Sequence, residues 1–364
     1  MSCPTDEEVR QYIEEIVNGV NSIEKKLESD VRDMCTLLLL LVEDCKKRVP
    51  NRDVPQRLKQ SFKDIYGSLK LHLKFHLQAV QVRELNALGQ QIGLTVEELD
   101  AAPGKECAID PVSKLLEILS DIAECSDGPK GSESHANAVM TQAKDWLRKL
   151  REKNTFKPKV LARVSRNGKW FVGSSVAVSH FLRPLCLYNR ICEFKQSLKK
   201  AVIFFQPLET EHKVLWNSTA FWFTAGYKTQ KPPCQNCKFM FKNLSGFLGE
   251  TDNLGQEGAS ANTVGGTFLA ACGEYPPINQ CLPDDAESSL EDTPDNEAVY
   301  VALRSFRKDC TLFFENFEKI ASKCFRALES KDVKRLKNVY YTHVKRRIHI
   351  FGIKPECNGS LKKT

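Results

Sequence analysis

Residues 160–172 read VLARVSRNGKWFV and decide the fold class of this chain. Two runs of β-branched and aromatic residues flank the dipeptide Asn167-Gly168. Asn-Gly suits a two-residue turn in which both residues have positive φ, so the stretch predicts a β-hairpin. Similar apolar runs predict further strands at 202–205, 213–216 and 221–224.

The residues before this hairpin follow a helical period instead. Apolar residues recur every three or four positions through two long stretches, the second of which ends near Gly93. Thr95 with Glu98 forms a capping-box pattern, and Asp110 before Pro111 suits an N-cap followed by proline in the first helical position. The N-terminal part of the chain is therefore predicted to be helical.

The change of pattern near the hairpin predicts the α+β fold class with two domains. We expect an N-terminal helical bundle over residues 1–153 and a mixed α/β domain over residues 154–364. The second domain is predicted to contain a Gly-rich loop at 246–266, an acidic loop at 283–297, and C-terminal helices over 299–328 and 333–347.

Composition places the chain among globular proteins, with 41% hydrophobic and 27% charged residues. The longest aliphatic run, residues 37–42, is far shorter than the ~20 residues that span a bilayer. The first residues of the sequence lack the charged and apolar regions of a secretory signal. Reduced thiols are therefore expected for the 14 cysteines, and the predicted location is the cytoplasm or the nucleus.

The net charge of +7 is concentrated in two basic segments. Residues 144–169 and residues 331–364 each hold ten Lys or Arg against two acidic residues. Such segments are most often solvated helix faces, but they also bind nucleic acid, because Lys and Arg neutralise phosphates. No phosphate-binding loop or nucleophile-elbow motif occurs, which disfavours NTPases and serine hydrolases.

One localised chemical signal is the segment Pro233-Cys234-Gln235-Asn236-Cys237, which follows a predicted strand. In a C-x-x-C at the start of a helix, both sulfurs can face one metal ion. Further along the chain lie Cys272-Gly273-Glu274 and then Cys281. In a chain this rich in cysteine, a bare C-x-x-C also arises by chance.

Two kinds of zinc site are compatible with these residues. In a structural site, Cys281 would join Cys234, Cys237 and Cys272 to close a tetrahedron of four thiolates. In a catalytic site, Cys234, Cys237 and Cys272 would bind zinc, water would take the fourth position, and Glu274 would move protons. The sequence leaves both alternatives open.

The two motifs carry a family resemblance. Pro233-Cys234-Gln235-Asn236-Cys237 resembles the P-C-x-x-C element of the zinc-dependent cytidine deaminase superfamily, and Cys272-Gly273-Glu274 resembles its (H/C)-x-E element, although the two occur here in reversed order. The resemblance implies that each element begins a helix and that Cys234, Cys237 and Cys272 bind zinc. It also implies that Glu274 is the acid/base of water attack on cytosine or adenine. Pro276 and Pro277 fit a helix there only within its first turn.

Two functions of different class follow from these observations. The first is a binding or scaffolding protein that recruits a protein partner through its N-terminal bundle and keeps a zinc-stabilised, deaminase-like, non-catalytic domain. The alternative is a zinc-dependent deaminase acting on a base, a nucleoside or a nucleic acid. No membrane partner is expected. His72 and His76 lie one helical turn apart, but a solvated or partly buried helix face is favoured over a metal site there.

Overall fold

The computed structural model describes residues 20–48, 56–73, 79–179, 182–204, 206–209, 214–222, 226–247, 270–284 and 294–324. Its N-terminal part is helical, as the sequence predicts. The helices are α1 (Val20–Arg48), α2 (Gln56–Leu73), α3 (Ala79–Gln91), α4 (Val96–Asp100), α5 (Pro111–Ser126) and α6 (Glu133–Lys149), with a 3₁₀ turn at Lys105–Cys107.

Both capping patterns read from the sequence are confirmed. At the start of α4, the backbone N–H of Glu98 donates to Thr95 Oγ1 at 3.3 Å, and the N–H of Thr95 donates to Glu98 Oε2 at 2.9 Å. At the start of α5, Asp110 Oδ1 accepts from the N–H of Val112, and Pro111 occupies the first turn. Local side-chain chemistry therefore fixes where these helices begin.

The second helical stretch is two helices rather than one. Helix α3 folds back beside α2, so that a Cβ placed on Gly89 would lie 3.3 Å from a ring carbon of Tyr66. Helical periodicity alone does not reveal such a reversal, because both helices carry the same kind of apolar stripe.

The hairpin predicted at Asn167-Gly168 is confirmed and belongs to a four-stranded antiparallel sheet. The strands are β1 (Val160–Arg166), β2 (Lys169–Ser174), β3 (Trp216–Trp222) and β4 (Gln230–Lys231), in the order β2-β1-β3-β4. Asn167 and Gly168 have φ of 50° and 77°, as a two-residue turn of this kind requires. The mixed α and β fold class is thereby confirmed.

One strand prediction is wrong. Residues 202–204 lie in helix α8 (Gln196–Phe204), which follows α7 (Arg183–Cys192). Leu198, Ala201 and Val202 are buried at the spacing of a helix face. A short apolar run of this kind does not distinguish a strand from a buried helix. The two runs predicted around 213–224 form the single strand β3 in the described part of that segment.

Helices cover both faces of the sheet. Helix α6 lies on the face of Arg163 and Phe221, where Lys144 Nζ is 3.6 Å from the Phe221 ring centroid. On the opposite face lies α10 (Tyr275–Cys281), and Pro277 contacts Gly173, the partner of Ala162 across the β1–β2 ladder. Because successive strand residues alternate between faces, Ala162 and Arg163 point to different layers.

The C-terminal helix α11 (Pro294–Cys324) packs on α7 and α8, in agreement with the helix predicted from residue 299. A single cluster of buried residues runs from Leu38 and Leu119 in the helical part to Leu161 and Tyr275 around the sheet. None of the helices that the structure describes is both long and apolar enough to cross a membrane.

Several predictions fall wholly or partly outside the described residues. These are the first 19 residues of the predicted helical bundle, most of the Gly-rich loop 246–266, much of the acidic loop 283–297, the helix at 333–347 and the basic segment 331–364. The boundary predicted near residue 153 stays a prediction.

Candidate metal centre

Strand β4 leads through two prolines to Cys234, the N-cap residue of helix α9 (Gln235–Met240). The carbonyl of Cys234 accepts the N–H of Lys238 at 2.8 Å, which begins the helix. Cys237 lies in the first turn and is fully buried. The turn brings the two sulfurs to the same side of the helix start, 3.6 Å apart.

The third cysteine arrives from a distant part of the chain. Cys272 lies between Ala271, whose carbonyl accepts the N–H of Val176 at 2.9 Å, and Gly273, which lies against the end of β2. Its sulfur is 3.5 Å from that of Cys234, although 38 residues separate them. The sulfurs of Cys234, Cys237 and Cys272 all lie within 4.8 Å of one another.

This spacing suits a metal ion with thiolate ligands. Sulfurs bound to a tetrahedral zinc at ~2.3 Å lie about 3.8 Å from one another. The 3.5 and 3.6 Å separations are close to that value and far from the ~2.0 Å of a disulfide bond. The three cysteines could therefore hold one metal ion. They form the one cluster of three or more potential ligands among the described residues.

Cys281 does not join this cluster, and the four-thiolate site is wrong. It ends helix α10, and its thiol faces the carbonyl oxygens of Val164 and Lys169, both at 3.8 Å. The helix between Glu274 and Cys281 carries its sulfur away from the other three. Sequence spacing could not exclude Cys281, because both ends of a short helix fall within a few residues of each other.

Glu274 lies at the N-cap of α10, and the prolines that follow it occupy the first turn, the one arrangement in which they fit a helix. Its side chain is almost completely buried. Burial raises the pKa of the Glu274 carboxyl to about 7, and the negative charge of Cys234 acts in the same direction. Nearby Lys231 opposes both effects. The carboxyl is thus poised to exchange a proton near neutral pH.

The three thiols differ in acidity. Hydrogen bonds from Cys237 and then from Cys272 lower the pKa of Cys234 well below its usual value, so Cys234 is the preferred thiolate of the three. The pKa values of Cys237 and Cys272 are raised, chiefly because each shares a hydrogen bond with Cys234 and both are buried. Three converging sulfurs stabilise one thiolate in this way, because the two neighbouring thiols donate hydrogen bonds to it.

A cleft of ≈720 Å³ opens onto Cys234, Cys272 and Glu274. Its lining includes the basic residues Lys153, Lys157, Lys159, Arg183 and Lys231. Lys153, Lys157 and Lys159 belong to the basic segment 144–169. Part of this segment, which the sequence analysis singles out by its charge, therefore lines the cleft. The other two basic residues, Arg183 and Lys231, belong to no sequence motif, so the sequence alone does not indicate that they line the cleft.

Trp222 adds an aromatic surface to the wall of this cleft. It is 42% exposed, and Lys231 Nζ lies 4.6 Å from its ring centroid. A second cleft, of ≈490 Å³, lies between α5, α6 and β2 and is lined by acidic and basic residues. It contains no cysteine, so we place the candidate chemistry in the first cleft.

His72 is a core residue. Its Nδ1 lies 2.7 Å from the carbonyl oxygen of Ser68, to which it donates, and its Nε2 accepts the N–H of Ser179 at 3.4 Å. The ring is buried and makes an edge contact with Phe156. His76 lies outside the described residues. Both nitrogens of His72 are therefore engaged in holding the fold.

The fold and the site together define a class: an α+β protein with a candidate three-thiolate metal centre beside a buried carboxyl group. Comparison with protein-family models, with curated proteins and with solved structures finds no match.

Proposed function

We propose that the chain is a zinc-dependent hydrolase of the deaminase type, acting on an amino-substituted base of a nucleotide or nucleic acid. The observation that carries this proposal is the cleft, which opens onto a cluster of three sulfurs rather than a closed set of four. Structural zinc sites have four protein ligands, whereas catalytic sites have three and leave one position for water.

The donor set fits zinc, since Cys234, Cys237 and Cys272 supply soft thiolates at the spacing a tetrahedral ion requires. When bound, zinc would supply a water molecule of lowered pKa at the open position. Glu274 would hold the proton taken from that water and pass it to the leaving amine, the general acid/base role for which a pKa near 7 is suited. The same roles are implied by the resemblance to the cytidine deaminase superfamily.

The walls of the cleft support an anionic substrate that carries a base. Lys153, Lys159 and Lys231 line it and would neutralise phosphate groups. The exposed ring of Trp222 would stack on a base. Nucleic acid would accordingly bind along the basic segment 144–169, which contributes Lys153 and Lys159 to the cleft.

Zinc content and one substitution test the proposal. We expect about one zinc per purified chain, as three thiolates and one water complete a tetrahedron. Glu274→Gln should retain the zinc and lower the rate of ammonia release from cytosine- or adenine-containing oligonucleotides by about 100- to 10,000-fold. Glu97→Gln, at an exposed position on α4, is the matched control and should change neither quantity. A chain without zinc, or a Glu274→Gln variant as active as the wild type, would overturn the proposal.

A binding or scaffolding protein with a zinc-stabilised, non-catalytic domain is the second candidate. Leu40 on α1 and Val96 on α4 are exposed apolar side chains on the N-terminal helices, where a protein partner would bind. In that case zinc would be bound, removal of the metal would lower stability, and no base would be deaminated by the wild-type chain.

A further inference from the structure

Arg190 is a buried cation that neither the sequence motifs nor the proposed chemistry uses. It lies on α7 and is 8% exposed. Its Nη1 donates to the carbonyl oxygen of Ala270 at 3.0 Å, and its Nη2 donates to the carbonyl oxygen of Ser174 at 2.8 Å and to Ser113 Oγ at 3.0 Å. One guanidinium thus joins two helices, the end of β2 and the segment that leads to Cys272.

The contact with Ala270 fixes the backbone just before the candidate centre. Ala270 is fully buried and has φ of 63°, a left-handed conformation that an alanine adopts only when its surroundings hold it there. Its carbonyl group stands two residues before Cys272 and four before Glu274. The orientation of this peptide therefore determines the direction in which the chain enters the centre.

The Nη2 side of the Arg190 guanidinium is held by further side chains. Asp110 Oδ2 lies 4.0 Å from Arg190 Nη2 and accepts the hydroxyl of Ser113 at 2.8 Å and that of Ser174 at 3.4 Å. Asp110 caps α5, so the guanidinium is held by a rigid helix start. A planar fork with several donors can bond two carbonyl groups and a hydroxyl at once, which a single ammonium group cannot do with the same geometry.

We propose that Arg190 is a positioning residue that places Cys272 and Glu274 at the metal centre. This inference rests on the proposed function, because it presupposes that the three sulfurs bind a metal. Arg190 touches neither the sulfurs nor the substrate cleft at those sulfurs, and it acts through the carbonyl group of Ala270. Removal of the guanidinium should release the 270–274 segment, so that Cys272 no longer converges on Cys234 and Cys237.

Titration with cobalt(II) chloride tests this role, since cobalt replaces zinc in such sites and its sulfur-to-metal absorption reports the thiolate ligands. Arg190→Gln should bind cobalt about 10- to 100-fold more weakly than the wild type. Its absorption for each bound ion should also fall by the contribution of one thiolate. The lower absorption for each bound ion distinguishes a positioning role of Arg190 from a general loss of stability. A general loss of stability would leave the spectrum of the bound ion unchanged.

Arg166→Gln is the matched control. Arg166 Nη1 donates to the carbonyl oxygen of Cys281 at 3.2 Å and so anchors α10 at its opposite end. This variant should keep the affinity and the spectrum of the wild type. If Arg190→Gln does not fold, Arg190→Lys keeps the charge beside Asp110 and should show the same loss of one thiolate band.

The outcomes separate the inference from the proposed function. A wild-type chain that binds no cobalt contradicts the metal centre, and with it the proposed function. A wild-type chain that binds cobalt, together with an Arg190 variant of equal affinity and equal spectrum, contradicts the role of Arg190 alone.

Discussion

At the scale of single residues, substitution of Cys272 and substitution of Cys281 should affect zinc binding differently, although Cys272 lies just before one short helix and Cys281 ends it. Cys272→Ser should abolish stoichiometric zinc binding, because it removes one of three converging sulfurs. Cys281→Ser should retain one zinc per chain and change the free energy of unfolding by about 1 kcal/mol, since its thiol contacts carbonyl oxygens of Val164 and Lys169 and lies outside the cluster of three sulfurs. Metal analysis of both purified variants checks the pair, and zinc loss in both would refute the three-sulfur assignment.

The residues of the site differ in how far the sequence reveals them. The C-x-x-C spacing indicates Cys234 and Cys237 as candidate ligands. A short motif that resembles a known element indicates Cys272 and Glu274. Arg190 has no such signal, because its role depends on a carbonyl group 80 residues away. Residues that act through backbone contacts of this kind become visible only in the folded chain.

At the scale of elements, β2 and α10 pack closely against each other next to the site. A Cβ on Gly173 would lie 2.6 Å from the carbonyl oxygen of Gly273 and 2.4 Å from Pro277 Cδ. Gly173→Ala should therefore push α10 away from the sheet and lower the free energy of unfolding by about 1 to 3 kcal/mol. Urea unfolding measures this change, and zinc content should fall with it.

Gly67→Ala is the matched control for this prediction. A Cβ at Gly67 would meet the side chain of Cys107 at 3.0 Å, and the residue lies within helix α2, where alanine is preferred to glycine by about 1 kcal/mol. This variant should be neutral or slightly more stable. Equal destabilisation by the two substitutions would show that contact between Gly173 and α10 is not the cause.

The elements themselves were predictable where local chemistry decides them. The Asn167-Gly168 hairpin and the caps at Thr95 and Asp110 depend on residues within a few positions of one another, and all three are confirmed. The apolar run at 202–205 predicts a strand because Val202 and Ile203 favour strands, yet in residues 202–204 the packing of α8 overrides that preference. Tertiary contacts of this kind leave no local pattern in the sequence.

At the scale of the whole molecule, the N-terminal helices help to build the cleft. Asp30 on α1 is buried, and its Oδ2 accepts the N–H of Thr155 at 2.9 Å and the hydroxyl of Thr155 at 2.7 Å. Its Oδ1 accepts from Arg151 Nη2 at 3.0 Å. Thr155 lines the cleft between Lys153 and Lys157, so α1 holds the basic wall in place. The sequence predicts the helices and the basic segment separately, but not that one supports the other.

Asp30→Asn tests this coupling. The amide keeps the size of the carboxylate but replaces charged acceptors with a neutral group, so we expect a loss of about 1.5 to 3 kcal/mol in the free energy of unfolding. Fluorescence anisotropy of a labelled single-stranded oligonucleotide should show weaker binding and a reduced salt dependence, because the lysines of the wall are no longer held together. Asp44→Asn, on the same helix in a partly exposed pair with Arg48, is the control and should change stability by less than about 0.5 kcal/mol. If Asp30→Asn is destabilised and yet binds the oligonucleotide as the wild type does, α1 supports the fold without shaping the cleft.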